Sequence, residues 1–153
     1  MPKPSYTSHF FILLKRIDMI VFQNHQYRLS IDADSSILFF EWLEGHANMS
    51  YADFQEACSN YLGYGFEYQV KNFCIDVRNF QLQLPADFPR WQREEHYPRY
   101  YKLGIVKVAY LMPTAYLAEA KEIEKTPGRF ALKNFDHLTS AIKWISEHQL
   151  SAA

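Results

Sequence analysis

Apolar and polar positions alternate in short runs along the first third of the chain and then fall into helical spacing. Met19-Ile20-Val21-Phe22 predicts a strand and Asn24-His25-Gln26 a polar break. Tyr27-Arg28-Leu29-Ser30-Ile31-Asp32 predicts a second strand with one wet face, because successive side chains of extended backbone point to opposite sides. Asp32-Ala33-Asp34-Ser35-Ser36 is turn chemistry, and residues 37–43, apolar except for Glu41, suit a more central strand. Turns this short favour antiparallel hairpins.

From Ser50 the period changes. Ser50 is a good N-cap, with Asp53 completing an approximate capping box. Phe54, Ala57, Cys58, Tyr61 and Leu62 then form one helical stripe, with Gly63 and Gly65 at the expected end. A strand is expected over residues 73–77. Pro85 opens a helix running to about residue 102, with a kink or break at Pro98 and a stop near Gly104. Residues 106–112 predict a strand ended by Pro113. Tyr116, Leu117, Ala120 and Ile123 predict a short helix closed by Thr126-Pro127-Gly128. Residues 130–135 predict a last strand, and Asp136 caps a final helix with Leu138, Ala141, Ile142 and Ile145 inward. Strands alternating with helices imply right-handed crossovers and parallel pairing. The expected fold is α/β: a mixed, mostly parallel sheet with antiparallel N-terminal strands and about four helices. One domain spans residues 19–150, behind an N-terminal extension over residues 1–18.

Composition narrows the reading. The 153 residues make about one domain, and 48% hydrophobic with 22% charged residues marks a globular chain. Lys+Arg 16 against Asp+Glu 17 argues against a nucleic-acid partner held by a phosphate-neutralising field. Aromatics are 17%, more rings than a small core needs, so some should line a pocket or a partner surface. Cys58 and Cys74 lack metal-type neighbours and read as free, buried thiols of a reducing, cytoplasmic compartment. Phe10-Phe11-Ile12-Leu13-Leu14 is shorter than a signal-peptide core and far short of a bilayer span, so no membrane span is expected.

The order of elements resembles the SpoIIAA-like, or STAS, family over roughly residues 27–148. Residues 37–45, Ile-Leu-Phe-Phe-Glu-Trp-Leu-Glu-Gly, are similar to the family's apolar strand ending in a glycine. Phe73-Cys74-Ile75-Asp76-Val77-Arg78-Asn79 is similar to its strand ending in an aspartate, and Lys102-Leu103-Gly104-Ile105-Val106-Lys107-Val108-Ala109 to its helix-glycine-strand step. Phe135-Asp136 with Ala141 and Trp144 resembles the ending of uncharacterised bacterial members. The resemblance implies a STAS fold and a regulatory, protein-docking role. In phospho-regulated members a serine or threonine opens the helix after the aspartate-ending strand. Leu84-Pro85-Ala86-Asp87 here offers no hydroxyl, and Gly45-His46-Ala47-Asn48 lacks the acidic residues often seen after the glycine.

Candidate chemistry is sparse. The six histidines show no metal-ligand spacing and read as surface residues, so neither a metal nor another cofactor is expected. Asp76 and Arg78, two apart on a strand, can pair and orient Asn79 at the carboxyl end of the sheet, where open α/β folds place ligands. Glu94 and Glu95 are adjacent on a helix and diverge, so with Arg93 they read as a solvated face. Trp91, Tyr97, Tyr100 and Tyr101 are too many rings for one inward face, so some should coat a groove or subunit contact, as Arg93 could beside them. The leading expectation is a non-enzymatic interaction module that docks a protein partner or a second copy, as a homodimer, through Trp91, Arg93, Tyr97 and Tyr101. The alternative is a carrier of an apolar small molecule or lipid in an aromatic-lined pocket; the CRAL-TRIO lipid-binding fold is related in style. An enzyme with dispersed groups would use Asp76, Arg78 and Glu94.

Overall fold

The computed structural model describes residues 19–147; the expected extension over residues 1–18 lies outside them. Six strands form one sheet in sequence order: β1 (Met19–Gln23), β2 (Tyr27–Asp32), β3 (Ile37–Trp42), β4 (Asn72–Asp76), β5 (Lys107–Leu111) and β6 (Ala131–Phe135). β1–β2 and β2–β3 pair antiparallel, and β3 to β6 run parallel. The mixed α/β sheet expected from the pattern is therefore present. Both hairpins close through side-chain oxygens. Asn24 Oδ1 accepts from the amides of Gln26 at 2.7 Å and Tyr27 at 2.9 Å, and Asp32 Oδ1 accepts from Asp34 at 3.1 Å.

The helices are α1 (Tyr51–Glu67), α2 (Phe88–Trp91), α3 (Tyr97–Leu103) and α4 (Leu138–Ser146), with a π-helical turn over Gln92–His96 joining α2 to α3. Strand alternation divides the core. Leu38, Phe40 and Trp42 face α1 and α3, whereas Ile37 and Phe39 face α4. The first face is the larger and holds most of the rings. Cys58 belongs to it and Cys74 to the other, and both thiols are buried and free, as expected. Among the described residues no helix is long and apolar enough to cross a membrane.

Several local expectations need correction. Ser50 does cap α1, accepting from the Asp53 amide at 3.0 Å. The helix, however, runs through Gly63 and Gly65, and the left-handed residue beyond it is Gln69, at φ 54. Gly65 serves packing instead: a Cβ there would meet the Phe73 ring at 3.1 Å, so glycine lets α1 lie close to β4. The helix expected from Pro85 begins only at Phe88. Pro98 does not break it. The proline ring clashes with the carbonyl one α-turn back, and the chain widens to π spacing just before it. Pro98 then sits in the first turn of α3, where a missing N–H is harmless. The short helix expected around residues 116–123 is only a 3-10 turn, Thr114–Glu119, and Ile123 instead pairs with Leu132. Asp136 does not cap α4; it accepts from Thr114 Oγ1 at 2.9 Å.

Candidate functional site, an aromatic cavity

The β3–β4 and β4–β5 crossovers place helices over one sheet face, but the β5–β6 connection carries only the 3-10 turn. Space is left there, at the carboxyl ends of the parallel strands, and a cavity of about 360 Å³ fills it. Phe40, Trp42, Ile75, Tyr110 and Leu132 form its floor, and Phe54, Cys58 and Tyr61 of α1 form one side. Phe88, Trp91, Gln92, His96 and Tyr97 form the roof. Phe80 and Leu84 of the β4–α2 loop, with Met112, Ala120 and Lys121, complete the rim.

Two anchors hold the rim. His46 is buried behind Trp42, its Nδ1 donating to the Leu43 carbonyl at 2.7 Å and its Nε2 accepting from the Gln81 amide at 2.9 Å. Its ring stacks on Phe80 at 5.3 Å, so one histidine pins the loop over residues 80–84 to the turn after β3. Across the opening, Asn134 Nδ2 donates to the Lys121 carbonyl and its amide to Glu122 Oε2, both at 2.9 Å. These bonds tie the β5–β6 connection to the sheet edge.

Two hydroxyl clusters reach the apolar wall. The Tyr61 hydroxyl lies 2.9 Å from His96 Nε2, the Tyr100 hydroxyl 3.3 Å from the same nitrogen, and the two hydroxyls bond each other. Trp91 stacks on the His96 ring at 4.9 Å with 13° between planes, and His96 Nδ1 is buried without a partner. Burial, aided by the charge of Arg99, lowers His96 to a pKa of about 3, so its ring is neutral near pH 7. The second cluster is Tyr97 beside Tyr110, whose hydroxyls influence each other. Burial holds Tyr61, Tyr100 and Tyr110 well above the ordinary phenol range and raises Tyr97 to about 12, so every hydroxyl keeps its proton. Burial also pushes the Cys58 thiol up to about 12, which leaves no activated nucleophile there. Neutral donors on an apolar wall suit binding rather than acid–base chemistry.

The residues singled out from sequence divide between places. Trp91 and Tyr97 line the cavity. Tyr101 packs beside Phe130, with the Arg129 guanidinium over its ring at 4.4 Å. Tyr100 is fully buried, while Trp91, Tyr97 and Tyr101 are half-buried. Asp76 and Arg78 do pair: Nε donates to Oδ1 at 3.0 Å and Nη2 to Oδ2 at 2.8 Å. β4 ends at Asp76, however, and the pair borders a separate hollow on the α4 side of the sheet, with Glu41 and Arg28. Asn79 and Arg93 are exposed, and Arg93 lies 3.6 Å from Glu94. His46 and His96 correct the surface reading of the histidines, at 2% and 3% exposure. Tyr61 and Tyr110 carried a readable signal, since each falls on the inward phase of its element; His96 carried none, because a π turn shifts the helical phase.

Compared with family models, with curated proteins and with solved structures, the chain gives no significant match.

Proposed function

We propose that this protein binds a small, largely apolar molecule in the aromatic cavity and performs no chemistry on it. One observation carries the reading: a cavity of about 360 Å³ at the carboxyl ends of parallel strands, walled by rings and touched by neutral hydroxyls. That volume lies in the range of small-molecule sites, and the apolar wall with a few placed polar groups is their usual make-up. Kinship with the SpoIIAA-like proteins belongs to the same proposal. The antiparallel start followed by parallel strands supports it, and the head of α2 offers no hydroxyl for a phospho-switch. The two buried thiols support a cytoplasmic home.

Titration calorimetry against uncharged two- and three-ring aromatics tests the reading. Saturable binding is expected for the native chain and its loss for Ala120→Phe, which puts a ring into the mouth. Binding undiminished in that variant would place the ligand elsewhere.

A second reading, docking of a protein or of a second copy, draws support from Phe66 and Tyr68 at the end of α1, 72% and 42% exposed. Light scattering across a concentration series separates the two. A mass that doubles with concentration in the native chain and not in Phe66→Ser would favour it.

A further inference from the structure

Hydrogen counting in the two hydroxyl clusters narrows the ligand. Tyr61, Tyr100 and the His96 imidazole hold three hydrogens between them, and their short contacts involve two oxygens and Nε2. If the imidazole hydrogen sits on Nδ1, it is stranded, because that atom is buried without a partner. If it sits on Nε2, it donates to a hydroxyl, one hydroxyl donates to the other, and one hydroxyl hydrogen, on Tyr61 or Tyr100, is left for an atom outside the cluster; of the two, Tyr61 is the one on the cavity wall. The second arrangement strands no donor once an acceptor enters the cavity, and an unmade bond to a buried donor is costly. Tyr97 and Tyr110 add two further hydroxyls, and at most one of their two hydrogens can serve the other. Tyr61, Tyr97 and Tyr110 all line the cavity.

Charge is the second constraint. Among the described residues no Asp, Glu or Arg lines the cavity, and its one cation, Lys121, is an exposed residue of the rim. A cation inside would find no counter-charge, and an anion only the exposed Lys121 at the rim. Shape is the third, since flat faces stack in the wall, as Trp91 does on His96 and Trp42 on Phe54 at 5.7 Å.

We infer, on the premise that the cavity is a small-molecule site, that its ligand is an uncharged planar compound presenting a carbonyl-type acceptor oxygen to the spare hydroxyls of Tyr61 and Tyr110. A ligand that only donates, or that is ionised, fits the same volume less well.

Three probes of one ring system decide it: naphthalene, 2-acetonaphthone and 2-naphthoate, titrated at pH 7 with Trp fluorescence and calorimetry as readouts. The ketone is expected to bind about tenfold tighter than naphthalene, and the carboxylate more weakly than the ketone. Tyr61→Phe or Tyr110→Phe is expected to narrow the gap between the ketone and naphthalene. A ketone no tighter than naphthalene, or a carboxylate as tight as the ketone, overturns this assignment while the cavity still binds. Failure of all three probes overturns the binding reading itself, and this inference with it. Should either variant fail to fold, the ranking on the native chain still decides.

Discussion

His96 has a cost built into its position. The unfolded chain takes up the imidazole proton near 6.5, whereas the folded chain resists it down to about 3. Between those values the unfolded state binds more protons, so stability that is complete above about pH 6.5 is lost as pH falls. The slope is at most about 1.4 kcal/mol per pH unit. His96→Leu is expected to flatten that part of the profile, and urea melts of both proteins from pH 7 to pH 4.5 check it; identical profiles would count against a neutral buried ring. A second residue-scale test is Gly45. A Cβ there would lie 2.4 Å from the His25 carbonyl oxygen, which also accepts the Gly45 amide. Gly45→Ala is expected to destabilise by at least about 1–3 kcal/mol, as overpacking against backbone does, in chemical melts. Of these residues, Gly45 was visible in sequence only as a glycine after a strand. Nothing in the sequence shows which carbonyl crowds it, because that carbonyl comes from the preceding hairpin.

At the scale of elements, period-two and period-3.6 patterns predict strands and helices where tertiary contacts agree with them. The stripe Phe54, Ala57, Cys58, Tyr61 and Leu62 is buried in α1 as its spacing predicts. Patterns fail where a distant element decides. Tyr116 and Leu117 promised a helix in the β5–β6 connection, yet that segment answers to Asn134 and Leu132 on β6 and stays a 3-10 turn. The π turn was equally hidden, since Pro98 announces a disturbance without saying whether the helix kinks, stops or widens. α4 yields a prediction at this scale. Lys107, buried on β5, donates to the Trp144 and Glu147 carbonyls at 2.7 and 3.1 Å, and so closes the carboxyl end of the helix with a cation. Lys107→Met keeps the bulk and removes both side-chain bonds, leaving the Trp144 carbonyl, among the described residues, only the Glu147 amide. The expected loss is about 1–3 kcal/mol, with hydrogen exchange quickened in α4 before the rest of the sheet.

For the whole molecule, the mixed sheet, antiparallel at its start and parallel after, followed from the alternation of elements, whereas the cavity did not. Its wall combines residues of four strands, three helices, the π turn and two loops, and single-chain periodicity carries no information about which of these meet. The excess of rings was the one legible hint, and it pointed to a lined pocket as readily as to an outer surface. A ligand in that pocket stabilises only the folded chain. A saturating uncharged aromatic is therefore expected to raise the midpoint of thermal unfolding, by the equivalent of about 2.7 kcal/mol at a hundredfold excess over its dissociation constant. His46→Ala, which frees the loop over residues 80–84 at the rim, should lose most of that protection; differential scanning calorimetry with and without ligand measures both.

Between β5 and β6 a brief 3-10 turn occupies the place where the earlier crossovers set α-helices. Robustness to heat and capacity for a guest therefore compete for the same few hundred cubic ångströms. A laboratory selection for thermal endurance alone should enlarge side chains such as Ala120, yielding descendants that melt later and have forgotten how to take anything in.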